Sequence, residues 1–180
     1  AEDLPGRPAV LDERGRVLTP ATISCTLPDV ICQVKPGEEV WFDDGRIGGL
    51  VERVERGSLG IRITHALATG SKLGADKGIN FPGSELQLPA LTAKDRDDLK
   101  FVARHADIVA LSFANNVADV SALIDQLREY GNQQAGIVLK IETLAGFRNL
   151  PAMLLRAMCM PSCGVMIARG DLAVEMGFAR

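Results

Sequence analysis

The second half of the chain constrains the fold most, because short apolar runs alternate there with stretches of helical periodicity. "DIVALSF" (107–113) is too short and apolar for a surface helix and reads as a buried strand, with "GIVLKIE" (136–142) and "GVMIA" (164–168) as the next two strands. Between the first two, Val120, Leu123, Ile124 and Leu127 recur at helical spacing, and Gly131 stops that helix. "GFRNLPAMLLRAM" reads as the helix between the second and third runs, despite Pro151. Upstream, Thr92 with Asp95 three residues later can cap a helix whose face carries Leu99, Val102 and Ala103. Apolar strands separated by helices imply parallel strands joined by right-handed crossovers. Three such units are visible. They suit either a small open sheet or part of an eight-stranded barrel.

Before about residue 88 the pattern changes. "EEVWFDDGRIGGLVERVERGSLGIRITHALATG" reads as strands punctuated by turns, with Asp44-Gly45 a hairpin signal. Val51, Val54, Ile61 and Ile63 supply its apolar positions. This half is expected to be a small antiparallel β domain.

Composition excludes several classes. With 47% hydrophobic and 24% charged residues the chain is too apolar for disorder. A net charge of −3 gives no basic footprint for nucleic acid. No apolar run approaches the roughly 18 residues of a membrane span, and "AEDLPGRPAV" does not read as a signal peptide. Cys25, Cys32, Cys159 and Cys163 lack zinc-type or redox spacing, so they are expected to be buried, reduced thiols, which suits the cytosol. The chain begins at Ala1 rather than Met, as a processed protein or a piece of a longer one would.

The candidate chemistry sits where strands end. Lys140 and Glu142 are two residues apart and share one side of a strand. Burying them at a carboxyl end is costly unless they are paired or bind a ligand, and active sites of parallel α/β folds lie there. Asp171, just past the next strand, can converge with Glu142. Two carboxylates and an ammonium could seat Mg²⁺ with a phosphate or carboxylate ligand, and Gly170 would allow close backbone approach. The competing interpretation of the same residues is a structural Lys-Glu-Arg-Asp ion network.

These residues also carry a resemblance. "LKIETLAGFRNL" and "GVMIARGDLAVE" resemble the strand-five and strand-six signatures of pyruvate kinase, loosely shared with citrate-lyase-type barrels. "VWFDDGRIGG" resembles the lid hairpin of that family, and "KLGADKGINFPGSELQLPALTAKDRDDLKF" its lid-to-barrel return. The four blocks occur in the family's order over about residues 20–177.

The resemblance implies a partial TIM (β/α)8 barrel with an inserted all-β lid. It divides the chain into a connector at 1–16, a lid at 17–87 and three barrel units at 88–180. It implies phosphoryl transfer from phosphoenolpyruvate to ADP, giving pyruvate and ATP, by a cytoplasmic homo-oligomer that binds neither nucleic acid nor membrane. Lys140 would be the catalytic lysine, and Glu142 and Asp171 the ligands of Mg²⁺ or Mn²⁺. Ala168, Arg169, Gly170 and Thr143 would lie at the substrate, and Lys77 and Asp44 would face the nucleotide. K⁺ would be held through ligands outside this chain.

The chain departs from the family pattern at Asn115 (usually Arg), Thr143 (usually Asn), Ala145, Ala173 and Gly177. The phosphate-binding arginine, the potassium ligands and the proton-transfer hydroxyl belong to barrel strands not found in these 180 residues. Residues 1–180 alone are therefore expected to be inactive. Two alternatives stay open: a pyruvate-kinase-like protein that binds metal and small acids without transfer, or a barrel lyase.

Overall fold

A computed structural model describes residues 6–84 and 86–177. The first five residues of the expected connector, and Glu85 within the lid-to-barrel block, lie outside the described residues. Three sheets follow one another along the chain. β1 (Val10–Leu11) and β2 (Val17–Thr19) form an exposed antiparallel ribbon. Its turn is closed by Asp12, which accepts hydrogen bonds from the amides of Arg14 and Arg16 and from the Arg16 guanidinium.

The second sheet is antiparallel, in the order β5-β4-β3-β6. Its strands are β3 (Glu39–Phe42), β4 (Ile47–Glu55), β5 (Ser58–His65) and β6 (Ile79–Asn80). Val30, Val34, Val40, Phe42, Ile47, Val51 and Phe81 form its core. Of the four apolar positions expected in the β4–β5 hairpin, Val51 is buried and Ile61 half-buried, whereas Val54 and Ile63 are exposed. A bulge between Val51 and Arg53 shifts the register, and the distal hairpin runs past the core that would cover it. Gly48 and Gly49 are required by packing. A Cβ at Gly48 would lie 2.5 Å from the Trp41 ring, and one at Gly49 would lie 2.7 Å from Ile61.

The third sheet holds β7 (Ile108–Leu111), β8 (Gly136–Ile141) and β9 (Cys163–Ile167), all parallel, with β8 central. The helices are α1 (Ala93–His105), α2 (Val117–Glu129), α3 (Leu144–Ala157) and α4 (Arg169–Met176). The capping box expected at Thr92 and Asp95 forms, and Asn116 with Asp119 makes a second at α2. All four periodic residues of α2 are fully buried against Leu111, Ile137, Leu139, Ile141 and Met153.

Burial of these strands is one-sided. Ile137, Leu139 and Ile141 of β8 are buried, while Val138 and Lys140 between them are only half-buried. β7 alternates in the same way, and Val165, Met166 and Ile167 of β9 are exposed. The expectation that 107–113 is a buried strand is corrected here, since only Val109 and Leu111 of β7 are buried. The chain supplies helices for one face of a three-stranded sheet and leaves β9 at its edge. The cysteines are corrected too: all four are free thiols, but Cys32, Cys159 and Cys163 are exposed and Cys25 is half-buried.

Candidate functional site

The site forms at the carboxyl ends of β7 and β8 and at the start of α4. The pleat sets the direction of Lys140, because Leu139 and Ile141 on either side of it point into the helical core. Its ammonium therefore emerges on the opposite face. It lies 2.7 Å from Glu142 Oε1 and donates a 2.9 Å hydrogen bond to Ser112 Oγ. Glu142 follows β8 directly and is only 4% exposed. Its other oxygen, Oε2, accepts the Phe113 amide at 2.6 Å. Both carboxylate oxygens are thus directed by groups of this chain, and each retains lone pairs for a further partner.

Phe113 holds a left-handed backbone, φ 50°. That is a strained conformation for a bulky residue, and it aims the amide at Glu142. The loop is held on both sides. Asn115 donates its amide to Asp119 at the start of α2. On the other side, its carbonyl accepts Asn149 Nδ2 and its side-chain oxygen accepts the Thr143 hydroxyl. Thr143 is the N-cap of α3 and accepts the Gly146 amide at 3.0 Å.

Asp171 lies in the first turn of α4, not in a loop after β9. Its carboxyl is pushed above the ordinary carboxylate range, first by burial and then by the negative charges of Glu142 and Asp44, with Lys140 opposing. Among the described residues Asp171 and Arg169 enter no ion pair, so only the Lys140–Glu142 half of the expected ion network forms. Gly170 adopts no positive φ, and a Cβ there would meet nothing within 4 Å. The amides of Arg169, Gly170 and Asp171 open α4 at an N-terminus whose cap residue, Ala168, makes no side-chain cap. Such an end favours anions.

The antiparallel sheet contributes from above. Asp43, Asp44 and Gly45 all have positive φ (51°, 54° and 83°) in the β3–β4 turn. Asp44 is exposed, and its charge is felt at Asp171. Lys77 pairs with the neighbouring Asp43 at 2.9 Å, and Arg46 approaches the other oxygen of Asp43 at 3.3 Å. The Lys77 hydrogen bond is the main cause of an Asp43 carboxyl held below its ordinary range. A half-open cavity of about 360 Å³ separates this turn from α4, with Trp41, Pro82 and Glu175 in its wall.

Lys140 and Glu142 are paired, and the charges of Glu142, Asp44 and Lys140 all act on Asp171, which follows Ala168, Arg169 and Gly170 at the start of α4. Lys77 is turned to Asp43, and the Thr143 hydroxyl to Asn115. Ser112, the Phe113 amide, Asn115 and Asp43 were not foreseen as site residues. Nothing in the spacing separates Asp43 from Asp44, and a backbone amide leaves no mark on a sequence. The two departures at 115 and 143, by contrast, were visible, and they prove to be hydrogen-bond partners.

Among the described residues no cluster of three or more ligating side chains forms. Glu142 and Asp171, the latter without an ion-pair partner among the described residues, are hard oxygen donors of the kind that suits a Mg²⁺-like cation.

The family model described as "Pyruvate kinase, barrel domain" matches residues 10–180. The pyruvate kinase of Clostridium acetobutylicum is 36% identical over 158 residues, which is 87% of this chain and 32% of that protein. That of Geobacillus stearothermophilus is 36% identical over 159 residues, 88% of this chain and 26% of that protein. Human pyruvate kinase PKLR is 33% identical over 156 residues, 86% and 25%. The chain spans a third or less of the length of these relatives.

Proposed function

The chain belongs to the pyruvate kinase family, and on that premise we propose that it carries part of the phosphoryl-transfer centre of a pyruvate kinase. The reaction is transfer from phosphoenolpyruvate to ADP, giving pyruvate and ATP. Residues 17–87 are read as the lid and residues 88–180 as three units of a (β/α)8 barrel. The observation that carries the reading is the Lys140–Glu142 pair at the carboxyl end of β8, with the unpaired, charge-crowded Asp171 beside it.

Each residue has a role that follows from its position. The Lys140 ammonium neutralises charge on the transferring phosphoryl group and on the enolate left behind. Glu142 and Asp171 hold Mg²⁺ or Mn²⁺, which when bound supplies charge stabilisation for the phosphoryl oxygens. The first-turn amides of α4, from Arg169 to Asp171 beyond Ala168, receive the substrate carboxylate. Asp44 and Lys77 approach the nucleotide side, and Lys77 must leave Asp43 or share it to reach a phosphate. The proposal extends to a cytoplasmic homo-oligomer with K⁺ ligands on other barrel strands.

A second reading, metal and small-acid binding without transfer, draws on the altered residues Asn115 and Thr143 behind Glu142. A citrate-lyase-type barrel has no use for the four-stranded lid sheet. One assay separates the first two: coupled pyruvate formation by the full-length protein over a Mg²⁺ titration. Lys140→Met should abolish turnover while leaving metal binding largely intact. Near-parental turnover in that variant removes Lys140 from the chemistry. A silent parent that still binds metal favours the second reading.

A further inference from the structure

We propose that Asn115 and Thr143 form a positioning clamp that sets the orientation of the Glu142 carboxylate by holding the strained Phe113 amide against it. The inference rests on the reading of Glu142 as a metal ligand and assigns two residues that act through it. The Phe113 amide is the only backbone donor on Glu142 among the described hydrogen bonds, and it reaches Oε2 from a residue with φ 50°. A bulky side chain keeps that conformation only where its surroundings enforce it.

The enforcement comes from one short loop, residues 112–116, clamped from two helices. On the α2 side, Asp119 accepts the amides of Asn115 and Asn116 at 2.9 and 3.1 Å. On the α3 side, the Thr143 hydroxyl donates to Asn115 Oδ1 while accepting the Gly146 amide, so one hydroxyl ties the loop to the first turn of α3. Asn149 adds a 2.8 Å bond to the Asn115 carbonyl. The helix and loop lie so close that a Cβ at Gly146 would be 2.5 Å from the Ala114 carbonyl oxygen. Thr143 immediately follows Glu142 in sequence, and Asn115 lies two residues beyond Phe113. The hydroxyl–amide bond therefore spans the same gap as the Phe113–Glu142 bond and fixes its length. Without it the loop keeps its ties to Asp119 and Asn149 but loses the one beside Glu142, so Phe113 can relax toward a right-handed backbone and draw its amide away from Oε2.

The test is Mn²⁺ binding to the full-length protein, followed by electron paramagnetic resonance, with thermal melts as a check on folding. Asn115→Ala and Thr143→Val should each weaken Mn²⁺ binding by roughly tenfold, the range seen when groups orienting a ligand are removed. Thr143→Ser keeps the hydroxyl and should bind as the parent does. In the metal-free protein the Phe113 amide should exchange with solvent faster in Asn115→Ala and at the parental rate in Thr143→Ser. Parental affinity in both deletion variants, or loss in Thr143→Ser equal to that in Thr143→Val, overturns the clamp. Should Thr143→Val fail to fold, Asn115→Ala and Thr143→Ser decide the matter between them. Glu142→Gln separates the two levels of the argument. If it leaves Mn²⁺ affinity unchanged, the metal-ligand reading itself fails. If it weakens binding and the clamp variants do not, only the clamp fails.

Discussion

At the scale of residues, charge decides what this site can hold. Glu142 is nearly fully buried, yet its carboxyl has a Lys140 partner and an amide donor. Asp171 has no ion-pair partner among the described residues, and burial together with the charges of Glu142 and Asp44 raises its pKa against the pull of its own backbone amide and Lys140. A dication held between the two carboxylates, as proposed, would relieve that repulsion. Replacing Glu142 by Gln should therefore weaken Mg²⁺ or Mn²⁺ binding by at least about tenfold, on the order of 1.4 kcal/mol, measurable by calorimetry. Asp43 shows the opposite case. Lys77 and Arg46 hold its folded pKa below the unfolded value near 3.9. The stabilisation this gives is present above about pH 4 and is lost as pH falls through the lower, folded pKa. Lys77→Ala should flatten that acid limb, and urea midpoints between pH 5 and 2 would show it. An unchanged acid limb means that the pair contributes nothing to the stability of the antiparallel sheet.

At the scale of elements, caps and close approaches fix where the site-bearing loops begin and end. Thr92 caps α1 and shares a reciprocal box with Asp95. Thr92→Ala should cost about 1 kcal/mol in denaturant unfolding, with no effect on Mn²⁺ affinity, because α1 contributes no site residue. Gly146 is different, since its Cβ would meet the Ala114 carbonyl at 2.5 Å, and neither backbone can move without displacing the loop before α2. Gly146→Ala should destabilise by roughly 1–3 kcal/mol and should also weaken metal binding. Destabilisation without that second effect would show the loop absorbing the shift elsewhere. Pro151 sits inside α3 without ending it, and its ring is exposed, away from the β8 core.

At the scale of the whole molecule, the parallel sheet is left with open edges. β7 and β9 are both edges, and Ile108, Val165, Met166 and Ile167 are exposed, as are Phe101, Leu155 and Met158 on the helices. Open parallel edges and apolar faces invite pairing with other chains. Residues 1–180 alone should therefore associate or melt without cooperativity, and should show no kinase turnover. A monodisperse monomer in sedimentation with a single sharp melt would contradict this. Much of the architecture was legible beforehand, because it rests on local signals. Period-3.6 runs marked α2, Thr92 with Asp95 marked the start of α1, the short apolar runs marked three parallel strands, and the two-residue spacing put Lys140 and Glu142 together. The sequence by itself determined these, since helix periodicity, capping and the pleat act over a few residues. Tertiary structure decided the rest. Which strand faces lie open depends on what packs across them, so β9 came out exposed. Which of two adjacent aspartates takes Lys77 depends on turn dihedrals and on a partner 34 positions away. The Phe113 amide reached Glu142, and Asn115 reached Thr143, because the parallel pairing of β7 with β8 brings two strand ends side by side, and residues 28 and 29 positions apart along the chain become neighbours only there.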